Sequence, residues 1–70
     1  SAFRQHTGVS PNEYIIGQRI SAACQLLSQT DKSVSAIAAD VGYPDQYYFS
    51  RLFRKKMGMP PLKYRASQKP

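Results

Sequence analysis

SVSAIAADVGYPDQYYFSRLFRKKMG, the stretch from Ser33 to Gly58, decides the fold. Val34, Ile37, Ala38 and Val41 recur at i, i+3, i+4 and i+7, the spacing that lines one face of a helix. Ser33 stands just ahead of them, where a hydroxyl accepts from the amides left unbonded at a helix start. Gly42 follows the last of them. Glycine enters the left-handed backbone region without a Cβ penalty, and a sharp helix exit demands that conformation. Tyr43, Pro44 and Asp45 form the turn, with Asp45 placed to cap a second helix. That helix spans roughly Gln46 to Met57, buries Phe49, Leu52, Phe53 and the stem of Lys56 on one face, and stops at Gly58.

Ahead of this stretch, Ser10-Pro11-Asn12-Glu13 reads as a helix start. Ser10 is the N-cap, Pro11 occupies the first position, where its missing N–H costs nothing, and Glu13 completes a capping box. No proline interrupts the run to about Thr30, so a long helix follows. It carries two apolar stripes, Ile16, Ile20, Ala23 and Leu27 on one side and Ile15, Ala22 and Leu26 on another, which predicts packing on two sides. Gly17 inside it costs about 1 kcal/mol relative to alanine unless a close backbone approach requires it. Behind the central stretch, Pro60-Pro61 starts a short helix through Tyr64, and Ala66 to Pro70 reads as a frayed tail.

The chain also repeats itself. Phe3-Arg4, Gly8, Pro11 and Tyr14 recur fifty residues later as Phe53-Arg54, Gly58, Pro61 and Tyr64, five matches in a window of twelve. Punctuation by glycine and proline does not place a phenylalanine and a tyrosine at identical offsets. The repeat predicts that residues 1–9 are the end of an earlier recognition helix, so that the chain opens in the middle of a motif. The expected organisation is then residues 1–9 as that helix end, 10–31 as a linker helix, 32–66 as a second unit and 67–70 as a tail.

Seventy residues leave no room for a catalytic cleft beside a core, and no nucleophile–base pair is visible, so an enzyme is not expected. Cys24 is the one cysteine and His6 the one histidine, which gives neither an intrachain disulfide nor a Cys/His metal cluster, and no motif asks for a cofactor. Cys24 reads as a small buried residue beside Ile20 and Leu27. Ten Lys and Arg against four Asp and Glu give a net charge of +6, which suits a polyanion. No segment has the length and apolarity of a membrane span or a signal peptide, so a cytoplasmic chain is expected.

Two short helices joined by a tight glycine turn form a helix-turn-helix, whose second helix enters the major groove of DNA. Ala38 and Ala39 are small enough to let the two helices cross closely. With Phe49, Leu52 and Phe53 turned inward, the outward stripe of the second helix is Tyr47, Ser50, Arg51 and Arg54, with Gln46 at its edge. Arginine donates twice to guanine, glutamine bonds adenine, and serine and tyrosine reach base edges or phosphates, which makes Gln46, Tyr47, Ser50 and Arg51 the base-reading candidates. Arg54, Lys55, Lys56, Lys63, Arg65, Ser33 and Arg4 are the phosphate candidates, sequence-blind contacts that set affinity. Tyr48, between the two faces, is expected to be a half-buried packing residue. The competing reading is a basic helical module that binds an anionic membrane surface or a protein. It would require a large open apolar face.

The residues Ile37-Ala38, Val41-Gly42-Tyr43, Asp45, Tyr48-Phe49-Ser50-Arg51, Phe53-Arg54-Lys55-Lys56, Gly58, Pro61 and Tyr64-Arg65 resemble the AraC/XylS signature of bacterial transcription regulators. Upstream, Phe3-Arg4, Thr7-Gly8, Ser10-Pro11, Tyr14, Arg19 and Leu26-Leu27 are similar to that family's passage from a first recognition helix into its linker. The resemblance implies an all-α fold: a homeodomain-like three-helical helix-turn-helix unit, preceded by a long linker helix and the end of a first helix-turn-helix. It implies double-stranded DNA as partner, with Gln46, Tyr47, Ser50 and Arg51 as recognition residues of the second motif. RNA polymerase is a further candidate partner of a full-length regulator, and the family's effector-binding or dimerisation domain is not in this chain.

Overall fold

The computed structural model describes residues 10–69, and these form four helices: α1 (Pro11–Gln29), α2 (Val34–Asp40), α3 (Gln46–Met57) and α4 (Pro61–Ser67). The starts are capped as the residue types require. Ser10 has extended backbone angles and its Oγ accepts from the Glu13 amide at 3.1 Å, with Pro11 at the first position of α1. Ser33 Oγ accepts from the Ala36 amide at 3.1 Å. Asp45 Oδ1 accepts from the Tyr47 and Tyr48 amides at 2.9 and 3.4 Å. A carboxylate at this end also offsets the positive pole of the helix dipole.

The helix ends are set by glycine where the chain must turn sharply. Gly42 has φ +103°, and the amides of Gly42 and Tyr43 donate to the Ala39 and Ala38 carbonyls at 3.1 and 2.7 Å. This paired closure satisfies two carbonyls that the end of α2 would otherwise leave open. Gly58, at φ +82°, closes α3 through a 2.8 Å bond from its amide to the Arg54 carbonyl. Lys55 and Lys56 stand in the last turn of α3, where positive charge meets the negative pole.

One core holds the helices together. Ile20, Ala23 and Leu27 of α1 meet Val34, Ile37 and Ala38 of α2, Val41 and Tyr43 of the turn, and Phe49 and Phe53 of α3. The rings form a ladder: Tyr48 to Tyr43 at 5.8 Å, Tyr43 to Phe49 at 6.0 Å, Phe49 to Phe53 at 5.8 Å, and Phe53 edge-on to Tyr64 of α4 at 5.7 Å. Each such pair adds about 0.5–1.5 kcal/mol beyond its area burial, so the ladder ties the turn, α3 and α4 into one unit.

Four expectations change. Tyr43 is a core residue rather than only a turn residue, because the left-handed exit at Gly42 swings its ring back against Phe49. Ala38 is fully buried at the helix crossing but Ala39 is exposed, so one alanine, not two, permits the close approach. The last helix runs beyond Tyr64 to Ser67, with Ser67 Oγ donating to the Tyr64 carbonyl at 2.7 Å, so Ala66 and Ser67 are helical and not tail. The first apolar stripe of α1 is covered, whereas on the second Ile15 and Ala22 are exposed and Leu26 is half-buried among the described residues.

Gly17 is exposed, and a Cβ built there meets nothing within 4 Å. No close approach among the described residues requires glycine. Gly17→Ala is therefore expected to stabilise the chain by about 0.5–1 kcal/mol through helix propensity alone. A melting temperature below that of the parent would mean that a further surface packs on this side of α1.

Candidate nucleic-acid interface

The reading face is built by the burial of its opposite side. Phe49 and Phe53 are fully buried and Leu52 half-buried, which fixes the rotation of α3 about its axis. Tyr47 is then left 82% exposed, Gln46, Arg51 and Arg54 are exposed, and Ser50 is half-buried at the margin. The helix Gln46–Met57 carries no carboxylate of its own. The Asp45 carboxylate ahead of it is held by two backbone amides. What remains on the outside of α3 is a surface of donors, an amide and an aromatic hydroxyl, with the neighbouring Asp45 carboxylate turned to the helix amides.

Tyr48 is 54% exposed, more open than the half-buried packing role expected of it, although one side of its ring contacts Tyr43. Together with Arg51, Leu52 and Lys55 it lines a shallow depression along one flank of α3. Lys55 and Lys63 are exposed. Lys56 Nζ lies 3.9 Å from the Glu13 carboxylate, which links α3 to the start of α1 across a partly solvated gap. Pairs of this kind contribute little to stability, typically under about 1 kcal/mol. Ser33 is exposed, with its hydroxyl engaged at the α2 start. Arg4 and His6 lie outside the described residues.

Arg65 departs from the sequence reading. Its Nε donates to the Leu27 carbonyl at 3.0 Å, and its Nη2 to the Thr30 and Lys32 carbonyls at 3.1 and 2.7 Å. The last turn of α1 contains no basic residue, so Arg65 of α4 supplies the positive charge that this negative helix end lacks. Arg65 is thus a clamp between α4, the end of α1 and the lead into α2. Its Nε and Nη2 thus carry a structural task that the sequence reading, which placed Arg65 only among the phosphate candidates, did not give it. Composition gave no sign of this, because a contact spanning 38 residues has no periodic trace.

Cys24 is half-buried against the core. Burial pushes its thiol pKa up, while a hydrogen bond with Tyr64 pulls the other way. The Tyr64 hydroxyl is itself raised, first by that bond and then by burial. The thiol thus stays protonated at neutral pH and serves as a packing group. No group of His, Cys, Asp and Glu among the described residues is arranged to hold a metal ion, and no described helix is long and apolar enough to cross a membrane.

A family profile described as a helix-turn-helix domain matches residues 1–67. The chain is 46% identical over 65 residues to the MmsAB operon regulatory protein of Pseudomonas aeruginosa, covering 93% of this chain and 21% of that protein. It is 44% identical over 64 residues to the arabinose operon regulatory protein of Salmonella typhimurium, covering 91% and 23% respectively. The chain therefore spans about a fifth of the length of these curated relatives. Among solved structures it is similar to the DNA-binding domain of AdpA, a global transcriptional factor captured in complex with a target DNA. That match has a TM-score of 0.86 and 35% identity, and covers 94% of this chain and 60% of that one. With its all-helical architecture, its glycine-turned helix pair and a family match over nearly its whole length, this chain belongs to the helix-turn-helix domain family of AraC-type transcription regulators.

Proposed function

We propose that this chain binds double-stranded DNA sequence-specifically, with α3 in the major groove, as the DNA-binding part of a bacterial transcription regulator. The observation that carries the reading is the outward face of α3, where Gln46, Tyr47, Arg51 and Arg54 are exposed opposite the buried Phe49 and Phe53. Arg51 is the guanine reader in this scheme, Gln46 an adenine reader, and Tyr47 and Ser50 contact base edges or the adjacent backbone. Arg54, Lys55, Lys63 and Ser33 contact phosphates and set affinity rather than sequence. The target DNA held by the AdpA domain supports the same use of the fold here. RNA polymerase as a partner, a separate effector-binding or dimerisation domain, and residence in the bacterial cytoplasm belong to this proposal for the whole regulator. The chain's part in it is recognition, with no chemical step.

Arg51→Ala tests the reading. A lost bidentate guanine contact costs about 2 kcal/mol, or roughly thirtyfold in affinity for the preferred duplex. Thermal stability should be unchanged, because Arg51 lies on the exposed side. Parent-like affinity in the regulator carrying this change would sink the assignment. A uniform loss on all sequences, with the salt slope reduced by about one unit, would move Arg51 to the phosphate contacts.

A further inference from the structure

Arg19 belongs to α1, not to the helix-turn-helix, yet its guanidinium lies over the ring of Tyr43 in the turn, with Cζ 5.1 Å from the ring centroid. Its Cζ, Nε and Nη1 stand 3.1–3.3 Å from where a Cβ on Gly42 would be, so the absence of a side chain at position 42 gives the guanidinium its place on the turn. The residue is nevertheless exposed. Among the described residues, no hydrogen bond or ion pair uses its donors. A guanidinium held over an aromatic ring has already given up part of its side-chain freedom, so an oxyanion that meets its N–H groups does so at less entropic cost than with a free surface side chain.

The position of this group indicates which oxyanion it meets. Tyr43 packs against Tyr48 in the first turn of α3, and Tyr48, Arg51 and Lys55 follow one flank of that helix. Through Tyr43, which precedes the Asp45 cap of α3, Arg19 adjoins the N-terminal end of that helix. The major groove is about 12 Å wide, close to the diameter of a helix with its side chains, so strand phosphates run along both flanks of a helix lying in it. We infer that Arg19 donates to a DNA backbone phosphate beside the first turn of α3, a contact delivered by the long helix rather than by the helix-turn-helix. The inference rests on the reading of α3 as the groove helix. Arg19 acts as a sequence-blind anchor that is held ready by Tyr43 and by the bare backbone at Gly42.

The test uses a duplex selected from random sequence by the regulator, with binding measured across a salt series. One lost phosphate contact reduces the steepness of log K against log salt by about 0.9. Arg19→Gln should show that reduction, with the same loss of affinity on the selected duplex and on a random one, while Arg19→Lys keeps the parent slope. An Arg19→Gln protein that melts like the parent and retains the full slope overturns the inference. Should Arg19→Gln melt early, the unmutated protein decides: the Arg19 Nε–Hε NMR signal should shift on addition of duplex, and a signal that stays in place refutes the contact. If Arg51→Ala weakens binding as described while Arg19 is silent, only this inference fails. If the parent binds no duplex, the groove reading itself fails.

Discussion

Gly42→Val is expected to lower the melting temperature by about 12 °C, corresponding to a loss of about 2 kcal/mol in a domain of this size. Two separate costs add at this position. The backbone has φ +103°, a region that a β-branched residue rarely adopts, with a penalty of about 1–2 kcal/mol. The new side chain also enters space held by the Arg19 guanidinium, 3.1–3.3 Å from the added Cβ, and displaces it from Tyr43, which forfeits about 0.5–1 kcal/mol of cation–π attraction. Gly58 supplies the internal comparison. It also has positive φ, +82°, but a Cβ there meets nothing within 4 Å. Gly58→Val should therefore cost only the backbone strain, and thermal melts of the two variants should place Gly42→Val lower. Equal melts of Gly42→Val and parent would mean that the turn relaxes into another closure.

Arg65→Ala is expected to destabilise the chain by about 3 kcal/mol while leaving the salt dependence of DNA binding unchanged. The guanidinium serves the carbonyls of Leu27, Thr30 and Lys32, and the net contribution of a hydrogen bond to a charged group runs to about 1.5–3 kcal/mol when the pair is well buried. Arg65 is half-buried, so water replaces part of what is lost, and the sum falls well below three full bonds. Lysine should restore only a fraction, because a single ammonium lacks the planar fork that spans separate acceptors. Denaturant melts combined with a binding salt series check both halves of the prediction. A variant as stable as the parent that loses a unit of salt slope would return Arg65 to the phosphate contacts.

The difference between Arg65 and Gly42 marks what the sequence could disclose. Ser10, Ser33, Asp45, Gly42 and Gly58 were legible because each performs a conformational task that few residue types perform, at an end defined by its neighbours. Phe49 and Phe53 were legible by period, and their burial made the outward face of α3 readable in advance. Arg65, Arg19 and Tyr43 were not legible in the same way. Their partners lie on other helices, and residue type alone assigns an arginine to solvent and a tyrosine beside proline to a turn.

The clamp at Arg65, the stacking of Arg19 on Tyr43 and the burial of Ile20, Ala23 and Leu27 fasten α1 to the rest of the bundle along most of its length. On these contacts, a torque applied at the Ser10 end of this 19-residue helix is expected to turn α3 with it. The bundle would then act as a key on a shank, with the alignment of α3 on its target steered by whatever grips that shank.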